Sequence, residues 1–234
     1  MDFQFKDVYN MDDLLKIMTI LRSPGGCPWD REQTHKSIRN NLLEEAYEAA
    51  EAIDTGDEEL LKEELGDVLL QVVFHSQLES ENGGFAFGDV VDGIAKKMIV
   101  RHPHVFGDVK VKDSSEVLTN WEEIKRRTKG RSTGIEVLNG VSKALPALMR
   151  TQKVQSKAAK AAGFTAEPAT AASDVCKKAE DFRKAVNAGD KNVYKRKLGE
   201  LLFSVADVAM LLDIEAEQVL ADSCDRFISE FERK

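Results

Sequence analysis

Four carboxylates in the first third of the chain have the spacing of a metal site. Glu45 and Glu48 are three residues apart, and so are Glu64 and Asp67. Residues at this spacing are neighbours on the surface of a helix. Carboxylates held this closely repel one another, and a hard divalent cation relieves the repulsion. Because all the ligands are oxygens, the pattern favours Mg²⁺, and Mn²⁺ also fits.

Two helices joined by a short turn would position these groups. Gly56 can end the first helix, and Asp57 can cap the second. A connection this short makes the helices antiparallel. Apolar residues recur at spacings of three and four on each side of the turn, which predicts one packed face per helix. They are Leu42, Ala46, Ala49 and Ile53 before the turn, and Leu61, Leu65, Val68 and Val72 after it.

In an antiparallel pair, residues equally distant from the turn face each other. Measured from Gly56, Glu48 faces Glu64, and Glu45 faces Asp67. An acidic run on one helix is usually a solvated face, whereas two acidic pairs mirrored about one turn are much more specific. The pattern therefore predicts that the four carboxylates converge.

Three further motifs accompany this hairpin: GCPWDREQTH at residues 26–35, RHPHVFGD at 101–108 and NWEEIKRR at 120–127. Together with the EExxE pattern that begins at Glu44 and the ExxD pattern that begins at Glu64, they resemble the MazG family of all-α nucleoside triphosphate pyrophosphohydrolases. The motifs occur in the family's order. The resemblance covers nearly the whole chain, including a tandem layout.

The resemblance implies an all-α fold of two tandem MazG-like helical bundles. The segment from Lys125 to Gly134 is basic and rich in Gly, Ser and Thr, which is typical of a linker. We therefore place a catalytic N-terminal domain at residues 1–130 and a C-terminal domain at residues 131–234. The resemblance also implies a homodimer that cleaves nucleoside triphosphates between the α and β phosphates, in nucleotide-pool control or house-cleaning.

The carboxylates divide into two roles. Their spacing assigns Glu45, Glu48, Glu64 and Asp67 to the metal. A carboxylate that the metal does not fully engage could take a proton from the attacking water, and either Glu44 or Glu45 fits that role.

Substrate contacts are assigned by resemblance. Lys97 and Arg101 are four residues apart and share a helix face, and the family places them beside the phosphates, with Lys125. Arginine suits bidentate contacts with phosphate, and lysine acts as a point charge. Trp29 lies in the loop that the family places near the nucleotide base, where its ring could stack.

The second half repeats the hairpin with altered chemistry. Leu198-Gly199-Glu200 echoes Leu65-Gly66-Asp67, and a turn is predicted near Gly189-Asp190. Mirroring about this turn puts Asp181 opposite Glu200 and Lys184 opposite Lys197, so that two lysines replace two glutamates. Two ammonium groups oppose a divalent cation, although they could pair with the two acids. We therefore predict that only the N-terminal half is catalytic and that the C-terminal half is structural or regulatory.

Composition restricts the remaining function classes. The 234 residues carry a formal net charge of −8, which argues against a stable nucleic-acid partner. The three cysteines, Cys27, Cys176 and Cys224, are scattered without a CxxC pattern, which indicates a reducing compartment. The first residues do not resemble a signal peptide, and no stretch is apolar enough to span a bilayer. A cytoplasmic protein with no membrane partner is expected.

Other expectations concern burial. Val90, Ile94 and Met98 should face the core from a helix near residues 88–100, and Val219, Cys224, Phe227 and Phe231 should be buried on the last helix. His35 is expected to pack or to lie at the surface. His75 follows Asp67 and Gln71 on one helical stripe and is expected to pack or to cap.

Two alternatives remain. A di-iron carboxylate bundle would need Glu-x-x-His on paired helices, which the first hairpin lacks. A non-catalytic helical scaffold or nucleotide-binding module would fit the second half better than the first. Metal preference distinguishes these two hypotheses from a pyrophosphohydrolase, because only the pyrophosphohydrolase is expected to depend on Mg²⁺. The preferred base and sugar do not follow from the sequence.

Overall fold

A computed structural model describes residues 3–128 and 133–233 of the chain. Every regular element in these residues is a helix, which confirms the predicted all-α class. The chain divides into two compact units, Met1–Trp121 and Glu122–Lys234. No helix in the described ranges combines the length and the apolar character needed to cross a bilayer.

Twelve helices follow one another in the described residues. The first seven are α1 (Met11–Arg22), α2 (Pro28–Glu32), α3 (Arg39–Thr55), α4 (Glu58–Glu81), α5 (Phe87–Arg101), α6 (Pro103–Phe106) and α7 (Ser114–Thr128). The other five are α8 (Gly134–Asn139), α9 (Ala147–Ala162), α10 (Pro168–Ala188), α11 (Lys191–Leu211) and α12 (Ala216–Glu232).

The first hairpin, α3 and α4, forms as the turn residues predict. Gly56 ends α3 with φ of 70°, a left-handed conformation that glycine adopts without a steric penalty. The Asp57 carboxylate accepts a hydrogen bond from the Leu60 N–H and caps α4. Ala49 and Ala52 are buried on α3, and these small side chains allow the two helices to pack closely.

The core of the first unit lies beside this hairpin. It consists of Met18 from α1, Ile38, which directly precedes α3, and Val73, Phe74 and Leu78 from α4. The second half of α4 packs in this core, and the first half of the same helix carries Glu64 and Asp67.

The second hairpin, α10 and α11, also turns where the sequence predicts. Gly189 ends α10 with φ of 77°, and the Asp190 carboxylate accepts hydrogen bonds from the N–H groups of Asn192 and Val193. The same glycine–aspartate turn motif therefore connects the helices of both hairpins.

Two expectations about burial are wrong. Ile94 and Met98 on α5 are exposed, and so are all four residues predicted to be buried on α12, namely Val219, Cys224, Phe227 and Phe231. An amphipathic pattern identifies an apolar face, but it does not say whether the face is covered within the same chain.

The predicted linker is also shorter than expected. Helix α7 continues to Thr128, so Lys125 is helical, and α8 already begins at Gly134. Residues 129–132 of the predicted linker lie outside the described residues.

Candidate metal centre

The first hairpin brings three carboxylates to one point. Oxygen atoms of Glu45 and Glu48 from α3 and of Glu64 from α4 all lie within 4.8 Å of one another. Glu64 is buried, with 9% of its surface exposed, which is unusual for an acidic residue. Asp67, the fourth predicted ligand, is not a member of this group of three. It is half-buried on the next turn of α4.

The carboxylates of α3 and α4 repel one another. Burial raises the pKa of Glu45, and the charge with the largest further effect on this pKa is that of Asp67, followed by Glu48 and Glu44. Burial likewise raises the pKa of Glu64, with Glu48 as the most effective charge, followed by Asp67 and Glu45.

These charges are not compensated by any cation in the part of the chain that the structure describes. Within the described residues, no lysine, arginine or histidine forms an ion pair with Glu45, Glu48 or Glu64. Converging oxygen donors with uncompensated negative charge are what a hard divalent cation requires. The donor set therefore fits such an ion, and this cluster of acidic residues could bind it.

The predicted substrate residues are not joined to the carboxylates by direct contacts. In the described part of the chain, no hydrogen bond or ion pair links Trp29, Lys97 or Arg101 to the acidic cluster. The Arg101 guanidinium lies 5.0 Å from the centre of the Trp121 ring, which fixes its orientation. Lys97 is exposed on α5, and Trp29 is 58% exposed in α2.

Lys125 lies in the second unit, where its ammonium group is 3.3 Å from a Glu122 carboxylate oxygen.

The segment around Trp29, predicted as a loop, is the short helix α2, and sequence reasoning missed the residue that fixes it. The side chain of Arg22 is only 7% exposed, and it donates hydrogen bonds to the carbonyl oxygens of Asp30 and Gln33. Its guanidinium also binds the Glu81 carboxylate at 2.7–3.1 Å and covers the Phe74 ring at 5.4 Å. Helix α2 is thereby fastened to the end of α4. The only signal in the sequence is an arginine in the last turn of a helix, which is common at helix ends.

The second hairpin holds a salt-bridge cluster where the first holds carboxylates alone. The Lys197 ammonium lies 2.9 Å from Glu200 and 3.4 Å from Asp181. The hydrogen bond to Glu200 raises the pKa of Lys197 and lowers that of Glu200. The predicted pairing is confirmed for Lys197 and wrong for Lys184, which lies 3.7 Å from Glu180 on its own helix instead.

The repulsion in the first hairpin predicts a pH dependence of stability. Since the folded-state pKa values of Glu45 and Glu64 are raised above the ordinary 4.5, the folded protein binds protons more tightly than the unfolded chain. This contribution to the free energy of unfolding is fully present below pH 4.5 and is lost as the pH rises through the raised pKa values. We expect Glu48→Gln, which removes one repelling charge, to make the free energy of unfolding decrease less with rising pH.

Thermal melting of wild type and variant from pH 4 to pH 8 in chelator measures this difference. Melting curves that shift in parallel with pH would show that the three carboxylates do not interact as described.

Comparison with known proteins identifies the family of this chain. The MazG nucleotide pyrophosphohydrolase domain model matches residues 33–106, which include both helices of the first hairpin. A Thermotoga maritima protein named nucleoside triphosphate pyrophosphohydrolase/pyrophosphatase MazG is 36% identical over 95% of this chain and 84% of its own length. The Escherichia coli K12 nucleoside triphosphate pyrophosphohydrolase is 39% identical over 94% of this chain and 85% of its own length. Bacillus subtilis YabN, an uncharacterised protein, is 43% identical over 92% of this chain and 44% of its own length. The chain belongs to the MazG nucleotide pyrophosphohydrolase family.

Proposed function

We propose that this protein is a Mg²⁺-dependent nucleoside triphosphate pyrophosphohydrolase with its active site in the N-terminal half, residues 1–130. It cleaves ribo- or deoxynucleoside triphosphates to the monophosphate and pyrophosphate. The observation that carries the proposal is the uncompensated cluster of Glu45, Glu48 and Glu64 within 4.8 Å. The names of the Thermotoga maritima and Escherichia coli relatives support the reaction class.

Glu45, Glu48, Glu64 and Asp67 hold the cation, for which Mg²⁺ is the expected ion and Mn²⁺ a substitute. When bound, the ion supplies positive charge against the phosphates and makes water more acidic. The rigid α3–α4 turn fixes the spacing of the four carboxylates before substrate arrives, so that little reorganisation accompanies binding.

Proton transfer from the attacking water is assigned to the adjacent pair Glu44 and Glu45. A general base works best when its pKa lies closer to the working pH than an ordinary carboxylate's does. The base must be a carboxylate that the metal does not fully engage, and Glu44 and Glu45 both remain candidates for that role.

The substrate is held at both ends. Lys97 and Arg101 contact the triphosphate, where Arg101 offers a guanidinium already oriented by Trp121. Trp29 stacks on the base, and its exposed ring is accessible for that role.

The C-terminal half, residues 131–234, is structural or regulatory. Lys197 between Asp181 and Glu200 supplies internally the positive charge that a metal would otherwise bring. The protein acts as a cytoplasmic homodimer on the nucleotide pool, without membrane or stable nucleic-acid partners. The exposed apolar faces of α5 and α12 support an assembly larger than one chain.

Product analysis tests the proposal. The purified full chain is incubated with Mg²⁺ and all common ribo- and deoxynucleoside triphosphates, and every phosphorus-containing product is quantified. We expect monophosphate and pyrophosphate in equal amounts, with no turnover in chelator. Diphosphate and phosphate would show that a different bond is cleaved. A folded protein with no turnover would instead favour a nucleotide-binding module or scaffold.

A further inference from the structure

A polar row continues along α4 from the proposed metal centre. Gln71 and His75 follow Glu64 by seven and eleven residues, so all three lie on the same side of the helix. At 1.5 Å per residue, Gln71 lies roughly 10 Å along the axis from Glu64. Gln71 is 7% exposed and His75 is half-buried. The packed side of a helix is ordinarily apolar, so a polar row here requires its own explanation.

The row ends in buried polar atoms without partners. Gln71 makes no hydrogen bond to any described residue, and its Oε1 is inaccessible to solvent. His75 Nε2 is likewise buried without a partner among the described residues. Buried amide and imidazole groups nearly always have hydrogen-bond partners, and exceptions call for an explanation. Two exceptions one turn apart on one side of α4 indicate that the partner is a ligand.

The neighbours of His75 determine what that ligand must offer. The rings of His35 and His75 lie edge to edge, with their planes 1° apart and their Nδ1 atoms 2.8 Å apart, so one of the two Nδ1 atoms must carry the proton. The Nε2 of His35 lies 2.9 Å from a Glu79 carboxylate oxygen, close enough for an ion pair though not aligned for a hydrogen bond. The carboxylate favours a proton on that Nε2. In a neutral ring, His35 then accepts at Nδ1, and His75 donates from its own Nδ1.

This tautomer leaves His75 Nε2 as a hydrogen-bond acceptor. Burial, reinforced by the nearby His35, lowers the pKa of His75, so the ring stays neutral at neutral pH. The Gln71 amide offers both an acceptor, Oε1, and a donor, its NH₂ group. The row thus presents a fixed acceptor at His75 beside an amide, which suits a ligand edge that has an N–H donor opposite His75.

We propose that Gln71 and His75 recognise the nucleotide base and select bases with an exocyclic amino group. This inference rests on the proposed function, because it takes the phosphates to lie at the carboxylates. The distance along α4 from Glu64 to Gln71 is comparable with the span of a nucleoside monophosphate. A glutamine amide can also bond adenine at two points, through N6 and N7. A base with an oxo group in place of the amino group would set its oxygen against the His75 Nε2 acceptor.

Matched substrates test the proposal directly. ATP and ITP differ in the amino or oxo group at one ring carbon and in the proton that the oxo base carries on the adjacent ring nitrogen, and so do CTP and UTP. We expect wild type to favour the amino member of each pair by about tenfold or more in kcat/KM. Gln71→Met keeps the side-chain volume but removes both hydrogen-bonding groups, and should reduce each ratio. Hydrolysis of ribose 5-triphosphate, which has no base, should stay unchanged in this variant and shows that it is folded.

Gln155→Met is the matched control, because Gln155 is an equally buried glutamine on α9 in the second unit. It should leave both ratios at their wild-type values. His75→Phe repeats the test independently if Gln71→Met does not fold, and should reduce the same ratios.

The possible failures are distinct. Wild-type turnover with ratios near one, or ratios that persist in Gln71→Met and His75→Phe, would overturn base recognition by this row and leave the proposed reaction intact. Absence of wild-type turnover with all four triphosphates and with ribose 5-triphosphate would overturn the proposed function, and this inference with it.

Discussion

Replacing Glu64 with glutamine is expected to reduce nucleotide hydrolysis by about two to four orders of magnitude. The substitution keeps the size of the side chain but removes one of the three charges that converge within 4.8 Å. It should also abolish the Mg²⁺-induced rise in melting temperature, because a ligand that binds only the folded state stabilises it by mass action. Monophosphate release and thermal melting with and without Mg²⁺ measure the two effects on the same sample.

Glu200→Gln in the second hairpin is the matched control. Glu200 occupies the position that Asp67 has in the first hairpin, but its carboxylate is already paired with Lys197 at 2.9 Å. We expect turnover and the Mg²⁺ effect to remain at wild-type values in this variant. Equal losses in the two variants would mean that both hairpins take part in catalysis, and would contradict the assignment of activity to the N-terminal half.

The hairpins could be predicted from the sequence because short-range interactions determine them. Gly56 and Gly189 adopt the left-handed conformation that ends each first helix, and Asp57 and Asp190 cap each second helix within three residues. Once the turn is fixed, helical periodicity alone determines which carboxylates face each other. The prediction of the acidic cluster therefore depends on one turn and two regular helices.

Long-range contacts could not be predicted in this way. Arg22 meets Glu81 across 59 residues, and His35 meets His75 across 40 residues. Neither pair shows a local pattern, since each partner alone is an ordinary polar residue on a helix or loop. The prediction that the apolar face of α12 is buried failed for the same reason, because helical periodicity identifies an apolar face but not what covers it.

Substrate placement could not be predicted from local patterns either. The sequence assigns Trp29 to a loop near the base, but it gives no indication of what holds that loop. The structure supplies Arg22, which donates to the carbonyl oxygens of Asp30 and Gln33 on either side of the end of α2. The stability of this attachment can be measured separately from catalysis.

Arg22→Met is expected to lower the free energy of unfolding of the protein by about 2–4 kcal/mol. The variant loses a buried guanidinium that satisfies two loop carbonyls and the Glu81 carboxylate together. Glu81→Gln should cost less, because Arg22 keeps its carbonyl partners and Glu81 is itself partly exposed. Urea denaturation measures both losses, and limited proteolysis of residues 26–35 reports whether the loop is released in Arg22→Met.

An exposed arginine–glutamate pair tests whether burial of Arg22 causes the loss of stability expected for Arg22→Met. Arg183 binds Glu180 through two hydrogen bonds of 2.7 Å, but its side chain is 63% exposed and both residues lie on α10. Solvated pairs of this kind contribute little to stability, so Arg183→Met should leave the urea midpoint unchanged.

The hydrogen bond from Arg22 also lowers the pKa of Glu81, so the stabilisation is present above the ordinary carboxylate value of 4.5. This stabilisation is lost as the pH falls through the lowered pKa of Glu81. The difference in free energy of unfolding between wild type and Arg22→Met should therefore become smaller at that pH. Equal destabilisation by Arg22→Met and Arg183→Met at neutral pH would contradict the argument, because the two arginines differ chiefly in burial and in the loop carbonyls that Arg22 alone binds.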